Sequence, residues 1–335
     1  MLKSFLTLTI LFSGITAVAN EADDVGDCTY MDQRWALGPV RDQGDIGWCY
    51  ANTAADLMGH EYYKELNGQQ VSAIDIALNF NQSLRRDAFT EGGSGYLALN
   101  FYLATQDHVC LQTVENQFMH EGLRIPLKEK LDTINELKDL YDLQHNAATA
   151  AAANAAWSGF FSVWENLKKH KSIIFSMGEQ KLMQLLANSS RKDLPKNIAN
   201  ALCVGHNSRP LKIKSDLKFW YAEYGGKWLG EDIAMFKLNQ QLDRGNIVAL
   251  AYYGSILQSP TQELDPKSMH MSSIVGRQWR SDTHQCEYLI RNSWGSGCYY
   301  KDNPKLRKDA CEKGNIWMPE ALIRKSMTAI SYFDD

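Results

Sequence analysis

The chain has no excess of positive charge. Its 35 Lys and Arg stand against 39 Asp and Glu in 335 residues, a formal net charge of -4. That balance supplies neither the basic footprint of a nucleic-acid binder nor a strong field for an acidic ligand. No internal repeat is visible. Beyond the N-terminus there is no apolar run of the roughly 20 residues that a membrane span needs. What remains is a soluble globular protein, 44% hydrophobic and long enough for one large domain or two modest ones.

The N-terminus differs from the rest. Lys3 gives a short positive start, Phe5 to Ile15 is mostly apolar, and Ala17-Val18-Ala19 is a small-x-small pattern. This order predicts a secretory signal over 1–19, cleaved after Ala19, and hence a secreted or periplasmic protein without a membrane anchor once cleaved. Only a short polar lead then precedes Cys28, with no room for a long pro-segment. The seven cysteines are Cys28, Cys49, Cys110, Cys203, Cys286, Cys298 and Cys311. An exported chain meets an oxidising compartment where thiols pair, and an odd count leaves one free or paired between chains. Two Asn-x-Ser sequons, at Asn81 and Asn188, matter only in a eukaryotic secretory route.

Gly38 to Gly47 is rich in turn residues and reads as a loop. From Cys49 to Leu66 apolar residues recur at helical spacing until Asn67-Gly68, so a glycine-rich loop feeds a helix that opens at Cys49. A second loop, Glu91 to Gly95, precedes a short helical pattern through Tyr102. Leu123 to Asp232 reads as predominantly helical, with an Ala-rich stretch over Ala147–Ala156. Strand patterns come late, at Ile247–Tyr253, Ser272–Trp279 and Tyr288–Arg291. Helices first and strands later predict an α+β fold with a helical part and a sheet part.

The chemistry gathers on four residue types. A thiol at a helix N-terminus faces unpaired N–H groups and a partial positive charge, which favour the thiolate. Cys49 holds that position. A nucleophile needs a base, and the base an orienting group. His270 precedes one late strand and Asn292 ends the next, so adjacent strands can join them. Gln43, six residues before Cys49, is placed to form an oxyanion hole with the Cys49 backbone N–H.

Pro39-Val40-Arg41-Asp42-Gln43-Gly44 with Gly47-Trp48-Cys49-Tyr50-Ala51 resembles the nucleophile segment of the papain/cathepsin cysteine peptidases. Gly92-Gly93 with Ala98 is similar to that family's substrate-binding glycine pair. His270 with Ile274-Val275-Gly276 resembles its histidine strand, and Asn292-Ser293-Trp294-Gly295 its asparagine motif. The resemblance implies a two-lobed fold, a helical lobe against an antiparallel sheet or barrel-like lobe. It implies hydrolysis of peptide or protein substrates through a thioester on Cys49, with His270 as base and then acid and Asn292 orienting it. Gln43 would hold the oxyanion, Trp294 would shield the His–Asn bond, and Gly92 and Gly93 would bind extended peptide. Trp48 would sit beside the nucleophile, with Met269 and Ser268 bordering an apolar side-chain pocket. No cofactor or metal is implied, and Cys203 with His206 lacks a second ligand pair at zinc spacing.

Two departures stand out. The family's disulfide, between a cysteine three residues before the nucleophile and one just ahead of the glycine pair, meets Ile46 and Thr90-Glu91 here. Cys49 is then the odd cysteine, and two of Cys286, Cys298 and Cys311 are expected to pair. His270 follows Cys49 by 221 residues, against roughly 130–150 in the family. The excess predicts a helical insertion within about 120–235 of the domain spanning 20–335. An amidase or acyl transferase using the same groups, and a silent peptide- or partner-binding protein of the same fold, are the rival readings.

Overall fold

A computed structural model describes residues 28–334 except 45, 89, 115–126, 170–176, 212–215, 225–226, 229, 259–263, 299, 301–302, 304–305 and 308. The signal segment and its cleavage point lie outside the described residues. A short strand, β1 (Met31–Asp32), comes first. The apolar pattern from Cys49 becomes helix α1 (Cys49–Glu61), which buries Tyr50, Ala51, Ala54, Ala55, Leu57 and Met58. The spacing that continues to Leu66 is a run of turns, closed by Asn67 and Gly68 at φ 52° and 71°.

Helix α2 (Ala73–Ser83) falls where no helix was predicted, yet Ser72-x-x-Asp75 marks its start. The Ser72 hydroxyl accepts the Asp75 N–H at 3.1 Å. Ser94 caps helix α3 (Gly95–Thr105) in the same way, accepting from the Leu97 N–H at 3.3 Å. Strand β2 (His108–Cys110) follows. Helices α4 (Leu127–Asn146), α5 (Ala150–Lys169), α6 (Glu179–Asn188) and α7 (Leu194–Leu202) fill the middle of the chain.

The helical reading of 123–232 holds only as far as Leu202. Beyond it come β3 (Ser208–Pro210), β4 (Asp216–Tyr221), β5 (Glu223–Tyr224) and β6 (Lys227–Trp228), before helix α8 (Glu231–Asp243). Phe219-Trp220-Tyr221 suits a pleated surface, and pairing with a partner strand settles it. β4 pairs along its whole length with the C-terminal strand β12 (Met327–Asp334). The remaining elements are β7 (Val248–Tyr253), a one-turn helix α9 (Ser255–Gln258), β8 (Met269–Arg280), β9 (Gln285–Arg291), β10 (Cys311–Glu312), β11 (Asn315–Pro319) and helix α10 (Glu320–Ser326).

The main sheet is antiparallel in the order β10-β11-β9-β8-β7-β12-β4, and β1 pairs with β8. Helix α1 packs on β8, and α2 and α3 pack on α1. The fold is therefore the α+β arrangement expected, with a helical part laid against an antiparallel sheet. Among the described residues no helix is long and apolar enough to cross a membrane.

Covalent links follow the cysteine count. Cys28 joins Cys286, Cys110 joins Cys203, and Cys298 joins Cys311, leaving Cys49 free. The middle helices are also tied by a buried ion pair. Lys196 Nζ of α7 meets Asp75 Oδ1 of α2 at 3.0 Å, and the Tyr102 hydroxyl of α3 donates to Asp75 Oδ2 at 2.6 Å.

A second buried network joins α1 to the sheet. Asp56 of α1 meets Arg41 Nε at 3.3 Å and Arg291 Nε, at the end of β9, at 3.0 Å. Arg291 also donates to the carbonyls of Leu37, Gly38 and Pro39. Replacing Asp56 with Ala strands two buried guanidinium groups, and the expected loss is about 3–5 kcal/mol. Chemical denaturation of D56A checks this, and an unchanged midpoint would remove the network from the account of stability.

Candidate active site

The loop entering α1 has no regular hydrogen-bond ladder, so its placement rests on specific contacts. The Gln43 N–H donates to the Ser293 carbonyl at 2.8 Å, and the Gln43 side-chain oxygen accepts from the Ser293 hydroxyl at 2.5 Å. Asp42 and Trp294 form an isolated antiparallel bridge. The predicted nucleophile loop and the predicted asparagine motif thus lie side by side. The Gln43 amide nitrogen gives one N–H to the Ile46 carbonyl at 2.9 Å. A primary amide carries two N–H groups, so a second donor remains.

His270 and Asn292 are brought together as the strand pattern predicted. His270 is the second residue of β8, paired with Tyr252 of β7, and Asn292 follows the last residue of β9. His270 Nε2 and Asn292 Oδ1 are 2.6 Å apart. The polarity of this bond is fixed by a third group. The Ser293 backbone N–H, which can only donate, lies 2.8 Å from the same Asn292 atom, which must be the carbonyl oxygen. His270 Nε2 therefore carries the proton, and Nδ1 is the basic nitrogen. The Trp294 ring lies 5.0 Å from the His270 ring, and both His270 and Asn292 are buried.

Cys49, the first residue of α1, is partly buried. Burial is the largest influence on it and pushes the thiol above its ordinary value of 9.0, against hydrogen bonds from the backbone of Met271, Tyr50 and Cys49 itself. The lowered thiol expected from the helix terminus is overridden by this loss of solvation. Burial likewise pushes His270 below 6.5, and the Asn292 bond opposes it. Both shifts favour the uncharged forms, a thiol beside a neutral imidazole.

The glycine loop is held against the nucleophile loop without a covalent bond. The Gly92 N–H donates to the Gly47 carbonyl at 2.9 Å. The Thr90 carbonyl accepts from the Trp48 indole N–H at 3.2 Å and from the Asn81 amide at 3.1 Å. Trp48 is only 4% exposed, so its ring is packed inside the protein rather than presented at a cleft. Asn81, of the first sequon, is fully buried. Gly92 and Gly93 expose their backbone, and Met269 is 51% exposed at the start of β8. Among the described residues no group of three His, Cys, Asp or Glu side chains could hold a metal ion.

Two residues escaped the sequence reading. Tyr300 accepts the Asn292 amide N–H on its hydroxyl at 2.5 Å, and Ser272 donates to Asn292 Oδ1 at 3.3 Å. Ser272 lies two residues from His270 on β8, so strand alternation could have flagged it. Tyr300 carries no such signal.

At Gly93 a Cβ would stand 2.7 Å from Phe80 Cε1 and 3.0 Å from Tyr50 Cε1. Gly93→Ala is expected to cost about 1–3 kcal/mol through overpacking, read as a lowered thermal midpoint. An unchanged midpoint would show that the loop moves away freely.

No protein-family model matches the chain, and no curated protein matches it. Solved structures do. One bears on the mite allergens Blo t 1 and Der p 1, at 12% identity and TM-score 0.47, covering 95% of this chain and 74% of that one. The ragweed pollen allergen Amb a 11, a cysteine protease in its proform, gives 14% and 0.47 over 94% and 69%. Digestive procathepsin L 3 of Tenebrio molitor larval midgut gives 14% and 0.47 over 91% and 69%.

Proposed function

We propose that the chain is an exported papain-like cysteine peptidase that hydrolyses peptide bonds through a thioester on Cys49. The observation that carries this reading is the His270 Nε2–Asn292 Oδ1 bond of 2.6 Å, whose polarity the Ser293 N–H dictates. It leaves the basic Nδ1 of His270 for the thiol of Cys49, at the start of the helix packed on the same strand.

In the reaction, Cys49 Sγ attacks the scissile carbonyl while His270 Nδ1 takes the thiol proton. The oxyanion is held by the second Gln43 amide N–H and the Cys49 backbone N–H. Collapse breaks the C–N bond, and the leaving amine takes the proton from His270. Water then attacks the thioester, giving its proton to His270, which returns it to the departing sulfur. Asn292 keeps the imidazole in one tautomer and plane throughout. The exposed Gly92–Gly93 backbone offers an extended peptide its main-chain partners, and Met269 offers apolar surface beside the reacting groups. Three disulfides support folding in an oxidising compartment.

Hydrolysis of a fluorogenic peptide library under reducing conditions tests this. Turnover is expected for the native chain and a loss of about 10³-fold or more in Cys49→Ala. Equal turnover by C49A sinks the reading. No turnover by a chain whose Cys49 is still alkylated moves it to the silent binder or the amidase.

The pH profile of kcat/KM follows from the two shifts. At low pH His270 holds a proton on both nitrogens and cannot accept one, so the rising limb lies below the ordinary 6.5. At high pH the pair loses its last transferable proton, so the falling limb lies above 9.0. A rising limb above 6.5 contradicts the buried neutral pair.

A further inference from the structure

We propose that Tyr300 is a positioning residue of this site, its hydroxyl and ring together fixing the plane in which the Asn292 amide meets His270. The inference rests on the peptidase reading for its kinetic consequence, though not for its geometry.

The Asn292 amide is a planar group with two ends. Its oxygen is fully engaged, accepting from His270 Nε2, the Ser293 N–H and the Ser272 hydroxyl. The Ser272 hydroxyl is itself 3.0 Å from the Tyr252 hydroxyl, and the Tyr252 ring lies 5.6 Å from the His270 ring. Those contacts fix where the oxygen is. They leave the amide free to tilt about its own axis unless the nitrogen is also held. Tyr300 supplies that second point, with its hydroxyl oxygen 2.5 Å from Asn292 Nδ2. Its ring stacks on Trp294 at 5.7 Å and 22°, and Trp294 in turn faces His270. Tyr300 is 5% exposed, so the phenol is enclosed, and burial raises its pKa so that it stays a neutral acceptor.

Tyr300 is itself held from more than one side. It lies inside the loop closed by Cys298–Cys311. The Asn303 N–H donates to the Tyr300 carbonyl at 3.1 Å, and the Asn303 amide donates to the Ile256 carbonyl of α9 at 2.7 Å. That helix follows β7, the strand of Tyr252. Ser272 and Tyr300 thus hold the two ends of one amide, while Tyr252 and Trp294 flank the His270 ring it meets.

The test compares Tyr300→Phe with the native chain and repeats the comparison in an Asn292→Ala background. His270 titration is followed by NMR, its signal identified by loss in His270→Gln. Removing the phenol oxygen while keeping the ring is expected to weaken the Asn292–His270 bond. That bond raises the His270 pKa, so the midpoint should move to lower pH. kcat should fall roughly three- to tenfold with KM unchanged, the effect of one lost hydrogen bond. In the Asn292→Ala background Y300F should change neither quantity, because the group it acts through is gone. The inference is overturned if Y300F lowers only the thermal midpoint, or if its effects are the same in both backgrounds. Should the native chain hydrolyse no peptide, the His270 titration still decides the role of Tyr300, while the peptidase reading fails separately.

Discussion

One buried carboxylate holds the two halves of the site in register. Asp56 lies two helical turns beyond Cys49 on α1, and it meets both Arg41, in the loop leading to the helix, and Arg291, the residue before Asn292. A charge this far from water is tolerable only with partners in good geometry, and each of the three supplies the others. The consequence is geometric as well as energetic. Helix, entry loop and strand end cannot slide past one another without uncovering a buried charge, so Cys49 and Asn292 keep their relation. Arg291 adds three loop carbonyls to the same clamp, which secures a segment with little secondary structure of its own.

The electrostatics within the site run against a familiar expectation. A helix N-terminus lowers a thiol pKa by aiming dipoles at it, but that gain competes with solvation. Here burial is the largest influence on Cys49 and also on His270, and among the described residues no carboxylate or ammonium acts on either. Both groups therefore rest uncharged. What orders the pair is orientation rather than a preformed ion pair, and several contacts converge on the Asn292 amide that meets His270.

The residues that the fold gathers around Cys49 were legible because each sits in a short contiguous motif. Gly92-Gly93, Trp48-Cys49 and Asn292-Ser293-Trp294 are examples. The free thiol was legible by parity, and proximity showed that two of Cys286, Cys298 and Cys311 pair without showing which two. The partners that meet only through the fold were not. Asp56 reaches Arg291 across 235 residues, and nothing in the spacing announces it. Cys28 reaches Cys286 across 258. Tyr300 meets Asn292 inside an irregular loop that has no period to read. The strand β4 was hidden for a different reason, since it is short, lies next to a helix-rich stretch, and becomes a strand only because β12 offers it a full-length edge.

The glycine loop beside Cys49 follows the same logic of many small restraints. It is fastened by the Gly92–Gly47 backbone bond and by the Thr90 carbonyl, shared between Trp48 and Asn81. Each contact is worth only about 1 kcal/mol, so a disulfide would hold the loop more firmly. Trp48, 4% exposed and bonded to the Thr90 carbonyl, ties the start of α1 to the glycine loop.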